Sequence, residues 1–539
     1  MSDPLEETDP ARRRAAVPER LASAGGLAPG VSREVERETR VPEAEVHAVG
    51  SFFHLLARPE VKVRVCTGLS CRLKGADALL AACREEGLAV EGASCLAACD
   101  RAPALLRGRR TLPEVGPEDI RRAGGDWECI ESPAASGSGP WLGRVGPEED
   151  DPESLALNLH GARDTSAAAL RRALEIGPDG VLDALEASGL QGRGGAGFPA
   201  HVKWRAVRDQ AETERYVVLN ADEGEPGTFK DREVLSRRPD RVIEGLAIAA
   251  HTVGAREIYL YLRGEFELQR LALEHALEDA RSAGLVEGLS FHVHEGHGAY
   301  ICGEETALLE ALEGKRGMPR LKPPFPVEVG LFGKPTLVHN VETIACVPSI
   351  VERGGAWFRG LGKTQPGTKL YCISGHVERP GTYELPLGST LDELAREAGG
   401  YLGTPYAFSP GGASSGFLPI RHRDLPLDFA ALAEVGSMLG SAGVVVLNDT
   451  VDLADAVEDQ LRFFEAESCG QCAPCRIGTR YLHEAVRRAR GEEVRSNVDL
   501  SHAAEVAWQM NEGSICGLGQ AAALPLTSAL EHFPEAFER

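Results

Sequence analysis

The stretch Glu467-Ser468-Cys469-Gly470-Gln471-Cys472-Ala473-Pro474-Cys475-Arg476-Ile477-Gly478, taken with Cys516 in Ile515-Cys516-Gly517, decides how the rest of the chain is read. Three cysteines at C-x-x-C-x-x-C spacing sit in a tight turn, and a fourth lies further along. Four thiolates converging from one loop and one distant point suit a cubane [4Fe–4S] cluster. A four-cysteine zinc site is the alternative, although zinc sites usually come as two separate C-x-x-C pairs. A set of inert core thiols is the third reading. Leu453, Val457, Leu461 and Phe464 recur at helical spacing just upstream, and residues 481–490 add a further helix. A helical bundle clasping a cluster is therefore expected over residues 449–539.

The surrounding chain sets the bounds. It has 539 residues, 43% hydrophobic and 26% charged, enough for several domains with ordinary cores. A net charge of −23 argues against nucleic acid and against docking on anionic lipid. No stretch approaches about 18 apolar residues, so no membrane span is expected. The acidic start Met1-Ser2-Asp3-Pro4-Leu5-Glu6-Glu7 lacks the apolar core of a signal peptide. With that start, thirteen cysteines should be reduced thiols or metal ligands in the cytoplasm.

Moving back from the bundle, residues 365–448 read as strand, turn, strand, a helix over 391–398 and an apolar strand over 443–447. That order suits a small β-grasp (ubiquitin-like) module. Residues 151–350 alternate strands and helices, which argues for a mainly parallel sheet. Within them Gly192-Arg193-Gly194-Gly195-Ala196-Gly197-Phe198-Pro199 satisfies G-x-G-x-x-G by letter. The preceding residues 181–188 look helical where a Rossmann fingerprint needs a strand. What survives is a glycine loop that a phosphate or flat ring can approach, followed by a helix from about residue 200. The strand over 216–222 ends in a burst of Asp222, Glu223, Glu225, Thr228, Lys230 and Asp231, as expected for ligand binding at a strand's carboxyl end. Glu304 and Glu305 open a helix running to residue 312, where they favour its dipole or bond a ligand. Lys322-Pro323-Pro324-Phe325-Pro326 is a stiff loop, and residues 338–343 look like the capped start of another helix.

Residues 129–150 are rich in Ser, Pro, Gly and acid and read as a linker. Ahead of them, residues 59–128 run strand, Cys66 and Cys71 at C-x4-C, a helix over 76–86, a strand near 88–90, then Cys95 and Cys99 at C-x3-C. This suggests a thioredoxin-like unit holding a [2Fe–2S] cluster, with zinc again the alternative. Residues 1–58 look helical and charged, with Val46, Val49, Phe53 and Leu56 on one face. Cys83, Cys129, Cys302, Cys346 and Cys372 have no paired spacing and read as structural or free thiols.

The glycine loop, Asn220-Ala221-Asp222-Glu223-Gly224-Glu225-Pro226-Gly227-Thr228, Tyr300-Ile301-Cys302-Gly303-Glu304-Glu305-Thr306, the Lys322 loop and the Cys469 stretch occur here in one order. Together they closely resemble the NADH-binding 51-kDa flavoprotein subunit of respiratory complex I, a module shared with diaphorases of NAD-linked hydrogenases and formate dehydrogenases. The resemblance runs from about residue 150 to the C-terminus. Residues 1 to about 125 resemble the 24-kDa [2Fe–2S] subunit of the same assembly, fused in front.

The resemblance implies a multidomain α/β protein: thioredoxin-like domain, Rossmann-like FMN/NADH domain, β-grasp domain and helical bundle. It implies FMN held by Gly192, Arg193, Gly194, Gly195, Gly197, Lys203, Asn220, Asp222, Glu223, Gly303, Glu304, Glu305, Val338, His339, Asn340 and Thr343. NADH would lie near Phe198, Glu225, Lys322 and Phe325, with Glu305 at the nicotinamide end; Glu305 and Glu225 are the candidate catalytic carboxylates. Cys469, Cys472, Cys475 and Cys516 would hold the [4Fe–4S] cluster, and Cys66, Cys71, Cys95 and Cys99 the [2Fe–2S] cluster. Hydride transfer needs the donor carbon stacked on the flavin and no acid–base pair. His339 stands where the family usually has asparagine, and Ala206 replaces an expected aromatic near the adenine. The expected function is a cytoplasmic NADH dehydrogenase subunit of a complex I-like quinone reductase, held at the inner face of the membrane through an iron–sulfur partner subunit. The NAD-reducing arm of a soluble hydrogenase or formate dehydrogenase is the second reading. A zinc-stabilised scaffold with a degenerate nucleotide pocket is the third.

Overall fold

A computed structural model describes residues 10–133, 142–146, 154–164, 166–494 and 496–538. The amino-terminal segment is helical, as its periodicity predicts: Pro10–Ala15, Val17–Ser23, Val31–Thr39, Glu43–Gly50 and His54–Ala57. Its apolar face (Val17, Leu21, Val35, Val46, Phe53, Leu56) is buried in one core with Ile301, Leu308 and the carboxy-terminal helices. The first segment of the chain thus packs against the last.

Strands β1 (Val63–Cys66), β2 (Val90–Ala93), β3 (Ala104–Arg107) and β4 (Arg110–Pro113) form a sheet in the order β2-β1-β3-β4. β1 is parallel to β2 and antiparallel to β3. The second strand starts later than the expected 88–90. The Leu88 N–H bonds the Cys83 carbonyl at 3.0 Å in the turn that ends helix Ala76–Glu85, so pairing begins only at Val90.

The expected linker is partly built into the fold. Val145–Gly146 is a strand, β5, and Gly143 N–H donates to Glu233 at 2.9 Å. The Arg237 guanidinium holds the Gly143 carbonyl at 2.8 Å. The rest of that stretch, 134–141 and 147–150, lies outside the described residues.

Next come β6 (Tyr216–Ala221), β7 (Glu257–Leu262), β8 (Ser290–Glu295) and β9 (Thr336–Asn340), all parallel, in the order β8-β7-β6-β9. Val217, Val218 and Leu219 are fully buried, so β6 is covered on both faces. The order in which strands are added reverses at β6, because β7 and β8 are laid to one side of it and β9 to the other. Such a switch point opens a crevice beyond the carboxyl ends of the two strands. Val338 and His339, expected at a helix start, are therefore inside a strand, and Asn340, its last residue, caps the following helix Val341–Arg353.

The β-grasp region contributes β10 (Thr368–Gly375), β11 (Gly381–Pro386), β12 (Pro405–Ser409), β13 (Leu418–Pro419) and β14 (Gly443–Asn448). The sheet order is β13-β12-β14-β10-β11-β5, so the would-be linker supplies an edge strand. The tail packs helices Leu453–Glu467, Ala473–Ala489, Ala503–Gly513, Gly517–Ala521 and Leu524–His532. Among the described residues no helix is long and apolar enough to cross a membrane.

Candidate functional site

The glycine loop spans the crevice at the switch point. Gly192 N–H donates to the Phe198 carbonyl at 2.8 Å, and Arg193 N–H donates to Thr343 Oγ1 at 2.8 Å. A Cβ at Gly194 would stand 3.1 Å from that of Asn340, and Gly195 (φ 136°) and Gly197 (φ 65°) adopt backbone that favours glycine. The loop therefore lies against the end of β9. The Arg193 side chain turns away from the crevice: it is fully buried and donates to the Pro366 carbonyl at 3.0 Å.

β6 delivers the second wall. Asn220 Nδ2 donates to the Gly303 carbonyl at 2.8 Å, and Asn220 Oδ1 accepts from the Asp222 N–H at 3.1 Å. Asp222 Oδ2 is buried with no hydrogen-bond partner, and burial pushes its carboxyl well above the usual range. A cradle lined by Gly303 beside this orphaned acceptor fits a ligand that brings hydroxyl or N–H donors. Glu223 is committed elsewhere. Its two oxygens accept the Asp231 and Arg232 N–H groups at 2.8 and 3.0 Å, which caps helix Lys230–Arg237, and burial raises its pKa to about 8. Asn340 is similarly engaged, accepting the Glu342 N–H at 3.0 Å and donating to Asp231 at 2.6 Å.

The third wall is the helix Glu305–Leu312. Glu304 caps it by accepting from Thr306 and Ala307 N–H at 2.9 Å each, so the dipole role foreseen for this pair falls to Glu304. Glu305 instead meets the Lys203 ammonium at 2.8 Å and that of Lys322 at 3.6 Å. Burial alone would raise the Glu305 pKa; the two ammonium groups outweigh it and hold the carboxylate charged. Phe198 and Phe325 stand 51% and 50% exposed, so two aromatic faces are open to a planar ligand. Glu225 is buried. Its carboxylate accepts from the Tyr300 hydroxyl and from the Ser414 N–H at 2.8 Å.

Tyr300 opens a motif quoted from the sequence without a role assigned to it there, and Ser414 lies in none of the motifs. Tyr300 precedes Glu304 and Glu305 by a few positions, and a single tyrosine among small and acidic residues is the available signal. Ser414 contributes only a backbone N–H from a distant module, which no pattern of side chains reveals.

Two cysteine constellations flank the crevice. Cys469, Cys472, Cys475 and Cys516 line one cavity with Ile301 and Pro319. Cys475 lies in the first turn of helix Ala473–Ala489, so the expected tight turn ends at Cys472. The walls Ile301 and Pro319 belong to the segments that carry Glu305 and Lys322. On the other side Cys66, Cys71, Cys95 and Cys99 are all buried, and the Cys95 thiol pairs with those of both Cys66 and Cys99. Ala97 N–H donates to Cys95 Sγ at 3.3 Å, and Cys95 Sγ lies 3.8 Å from the Glu225 carbonyl oxygen. Among the described residues no group of three or more His, Cys, Asp or Glu is arranged to hold a single metal ion. The first set instead lines a single cavity with all four sulfur-bearing side chains, the ligand number a [4Fe–4S] cluster uses.

Known families match in the same order. A Nuo51 FMN-binding domain matches residues 185–349, and an NADH-ubiquinone oxidoreductase-F iron–sulfur binding region matches 455–539. A thioredoxin-like [2Fe–2S] ferredoxin matches 21–123, and an SLBB domain 370–418. An F-type NADH-quinone oxidoreductase subunit of Rhizobium meliloti is 47% identical over 382 residues, covering 68% of this chain and 90% of that protein. The chain belongs to the F-type family of NADH-quinone oxidoreductase subunits. The family member from Rickettsia massiliae is 41% identical over 414 residues, 72% of this chain and 97% of the relative. Among solved structures, an NAD+-reducing [NiFe]-hydrogenase in its H2-reduced state superposes with a TM-score of 0.88 at 33% identity. That match covers 97% of this chain and 93% of the other. The hydrogenase chain thus extends the likeness well beyond the share of this chain that the quinone-reductase relatives cover.

Proposed function

We propose that this chain oxidises NADH at a bound FMN and passes the electrons to iron–sulfur clusters, as the input subunit of an NADH:quinone oxidoreductase. The observation that carries the reading is the crevice at the β6/β9 switch point standing close to the four-cysteine cavity: Ile301, four residues before Glu305, and Pro319, three residues before Lys322, line that cavity. FMN, when bound, supplies the conversion between a two-electron hydride and the single electrons that clusters carry.

The chain's own residues divide the remaining work. Gly192, Gly194, Gly195, Gly197 and Gly303 let the ligand approach the backbone, and Asn220, Asp222 and Lys203 offer it polar partners. Phe198 and Phe325 hold the adenine end of the dinucleotide by stacking, with Lys322 at its phosphates. Ala206 leaves that end with one aromatic wall fewer. Glu305 orients the nicotinamide. Glu225, fixed between Tyr300 and Ser414, acts as a buttress. Arg193, Glu223, Asn340 and Thr343 hold the shape of the crevice. Cys469, Cys472, Cys475 and Cys516 carry a [4Fe–4S] cluster, and Cys66, Cys71, Cys95 and Cys99 a [2Fe–2S] cluster. The segments 59–128, 151–350, 365–448 and 449–539 are the working division, and the chain sits at the cytoplasmic face of the membrane through partner subunits.

Anaerobic purification of the full chain tests this. Bound flavin that NADH bleaches, with about six iron atoms for one [2Fe–2S] and one [4Fe–4S] cluster, is the expected result. A colourless protein lacking flavin and iron, or one holding only zinc, would sink it. The second reading is the NAD-reducing module of a soluble hydrogenase. It is favoured by the structural likeness that spans nearly the whole chain, where the quinone-reductase relatives align with about 70% of it. Co-purification with a hydrogenase or with quinone-reductase subunits separates the two.

A further inference from the structure

The wall of the four-cysteine cavity holds a hydroxyl that the chain does not use. Ser514 lines that cavity together with Cys469, Cys472, Cys475 and Cys516. It follows helix Ala503–Gly513, and its backbone is anchored on both sides. The Ser514 N–H donates to the Met510 carbonyl at 3.1 Å, and the Ser514 carbonyl accepts from Gln520 Nε2 at 3.0 Å. The residue is only 6% exposed, yet Oγ has no hydrogen-bond partner among the described residues. A Cβ on Gly519 would run into Ser514 Oγ and stand 3.0 Å from the Cys475 Cβ, so the hydroxyl and that cysteine pack on the same glycine. Buried hydroxyls in folded proteins are nearly always paired, so an orphan in a cavity wall marks a partner that the chain itself does not supply.

The lining narrows what that partner is. Among the described residues no carboxylate borders the cavity, and Gln471, the one other polar side chain there besides the cysteines, belongs to an exposed residue. Sulfur is the acceptor within reach. Ser468 shows the same chemistry already made: its Oγ accepts from the Gly470 N–H at 3.4 Å and lies 3.3 Å from Cys475 Sγ. A thiolate bound to iron has no hydrogen to give, so with a cluster in place Ser468 is the donor of that bond.

We propose that the Ser514 hydroxyl donates a hydrogen bond to a sulfur of the [4Fe–4S] cluster and, with Ser468, raises its reduction potential. The inference rests on the reading above that these four cysteines hold such a cluster. Reduction adds one electron, and with it one negative charge shared with the sulfurs; a donor aimed at a sulfur stabilises the more negative state. The hydroxyl hydrogen stays on oxygen in both states, so no proton moves with the electron. The effect is to make this cluster the better acceptor of single electrons from the flavin.

The test is a redox titration of the full-length holoprotein followed by EPR, with the amino-terminal [2Fe–2S] signal as the reference in the same sample. In Ser514→Ala the reduced-to-oxidised ratio of the [4Fe–4S] cluster at a fixed potential should fall about tenfold, equivalent to about 59 mV for a one-electron couple. Ser468→Ala should shift it in the same direction, and the double variant further than either. A second measurement does not need the cluster to assemble in Ser514→Ala. In Ser468→Ala exchanged briefly into D2O, pulsed EPR of the reduced cluster should still show a coupled exchangeable deuteron, the one on Ser514. An unshifted [4Fe–4S] potential in Ser514→Ala, an equal shift of both clusters, or no coupled deuteron in Ser468→Ala overturns the proposal. Any of these results, obtained while the wild-type [4Fe–4S] signal is present, overturns this inference alone. A wild-type chain with no [4Fe–4S] signal overturns the proposed function as well.

Discussion

The two cysteine sites of this chain are built in opposite ways. Cys66, Cys71, Cys95 and Cys99 are 1–6% exposed and closed in on every side by the chain itself. Their walls include the Glu225 backbone and the ion pairs of Arg232, whose guanidinium meets Asp100 at 2.9 Å and Glu233 at 2.7 Å. At the carboxy-terminal site only Cys475 is buried; Cys469, Cys472 and Cys516 are half-buried. Ile477, two residues past Cys475, and Trp508, on the helix before Cys516, each stand 64% exposed. A buried site offers a partner no surface of its own, whereas a site at a partly apolar surface has a face for a partner. In the proposed function the amino-terminal cluster is therefore a side carrier and the carboxy-terminal cluster the exit.

The largest effect that separates the two is expected from Cys472→Ala. Electron transfer to the partner complex should fall at least about 100-fold, since a cluster short of one thiolate ligand is lost or altered. NADH should still bleach the flavin in a stopped-flow experiment. If bleaching also disappears while circular dichroism shows an intact fold, the exit has been placed at the wrong site.

Arg232→Met probes the sealed site. It leaves Asp100 buried without its counter-charge, a loss of roughly 3–5 kcal/mol for a broken buried pair. Thermal unfolding should begin at a lower temperature, with loss of the [2Fe–2S] signal before the [4Fe–4S] signal. Simultaneous loss of both would show that the two regions unfold as one unit.

Acid should act on the two regions with opposite signs. His294, stacked on Tyr261 under the amino-terminal helices, has its pKa pushed down to about 4 by burial. A folded value below the unfolded one means that its contribution is complete above about pH 6.5 and is lost as pH falls towards 4, on the order of 3 kcal/mol. In the bundle, burial pulls the His483 pKa down, but Glu458 and Glu465, the latter at 2.6 Å, outweigh it and raise the value. That contribution is present at low pH and fades as pH rises through the raised value. Hydrogen exchange at pH 5 and pH 7.5 should show the amino-terminal helices loosening in acid and the helices around Cys475 holding. Uniform loosening would contradict the contrast.

The smallest effect on the chain itself is expected from Trp508→Ser. Its melting temperature should move by no more than about 1 °C, because an exposed side chain contributes little to folding. Transfer to the partner complex should nevertheless slow. An unchanged rate would remove this face from the docking surface.

Much of this was legible in the sequence where signals are local. Leu453, Val457, Leu461 and Phe464 all fall in the one helix Leu453–Glu467, because a 3.6-residue apolar period is a local property that burial of one face preserves. The eight cysteines fell into the two expected sets because ligand spacing within a loop is a local property. The errors lay where distant chain intervenes. Residues 145–146 are polar-flanked and short, and they become a strand only because the β11 edge is there to pair with. Val338 and His339 look like a helix start until β6 supplies a parallel neighbour. The Arg193 side chain meets the Pro366 carbonyl, a partner far along the chain that no local pattern announces.

The sequence by itself determined the chemistry available to this protein: two sets of four thiols, a glycine loop, and acidic and cationic groups in a fixed order. Residue identity and spacing along the backbone are enough for that. Only the tertiary structure decided which groups are free to act. Asp222 keeps an unpaired oxygen while Glu223 beside it does not, and one cysteine set is sealed while the other is open. The reason is physical. Hydrogen-bond satisfaction and burial depend on neighbours brought together by packing, so a residue's charge, tautomer and accessibility are properties of its surroundings as well as of its type.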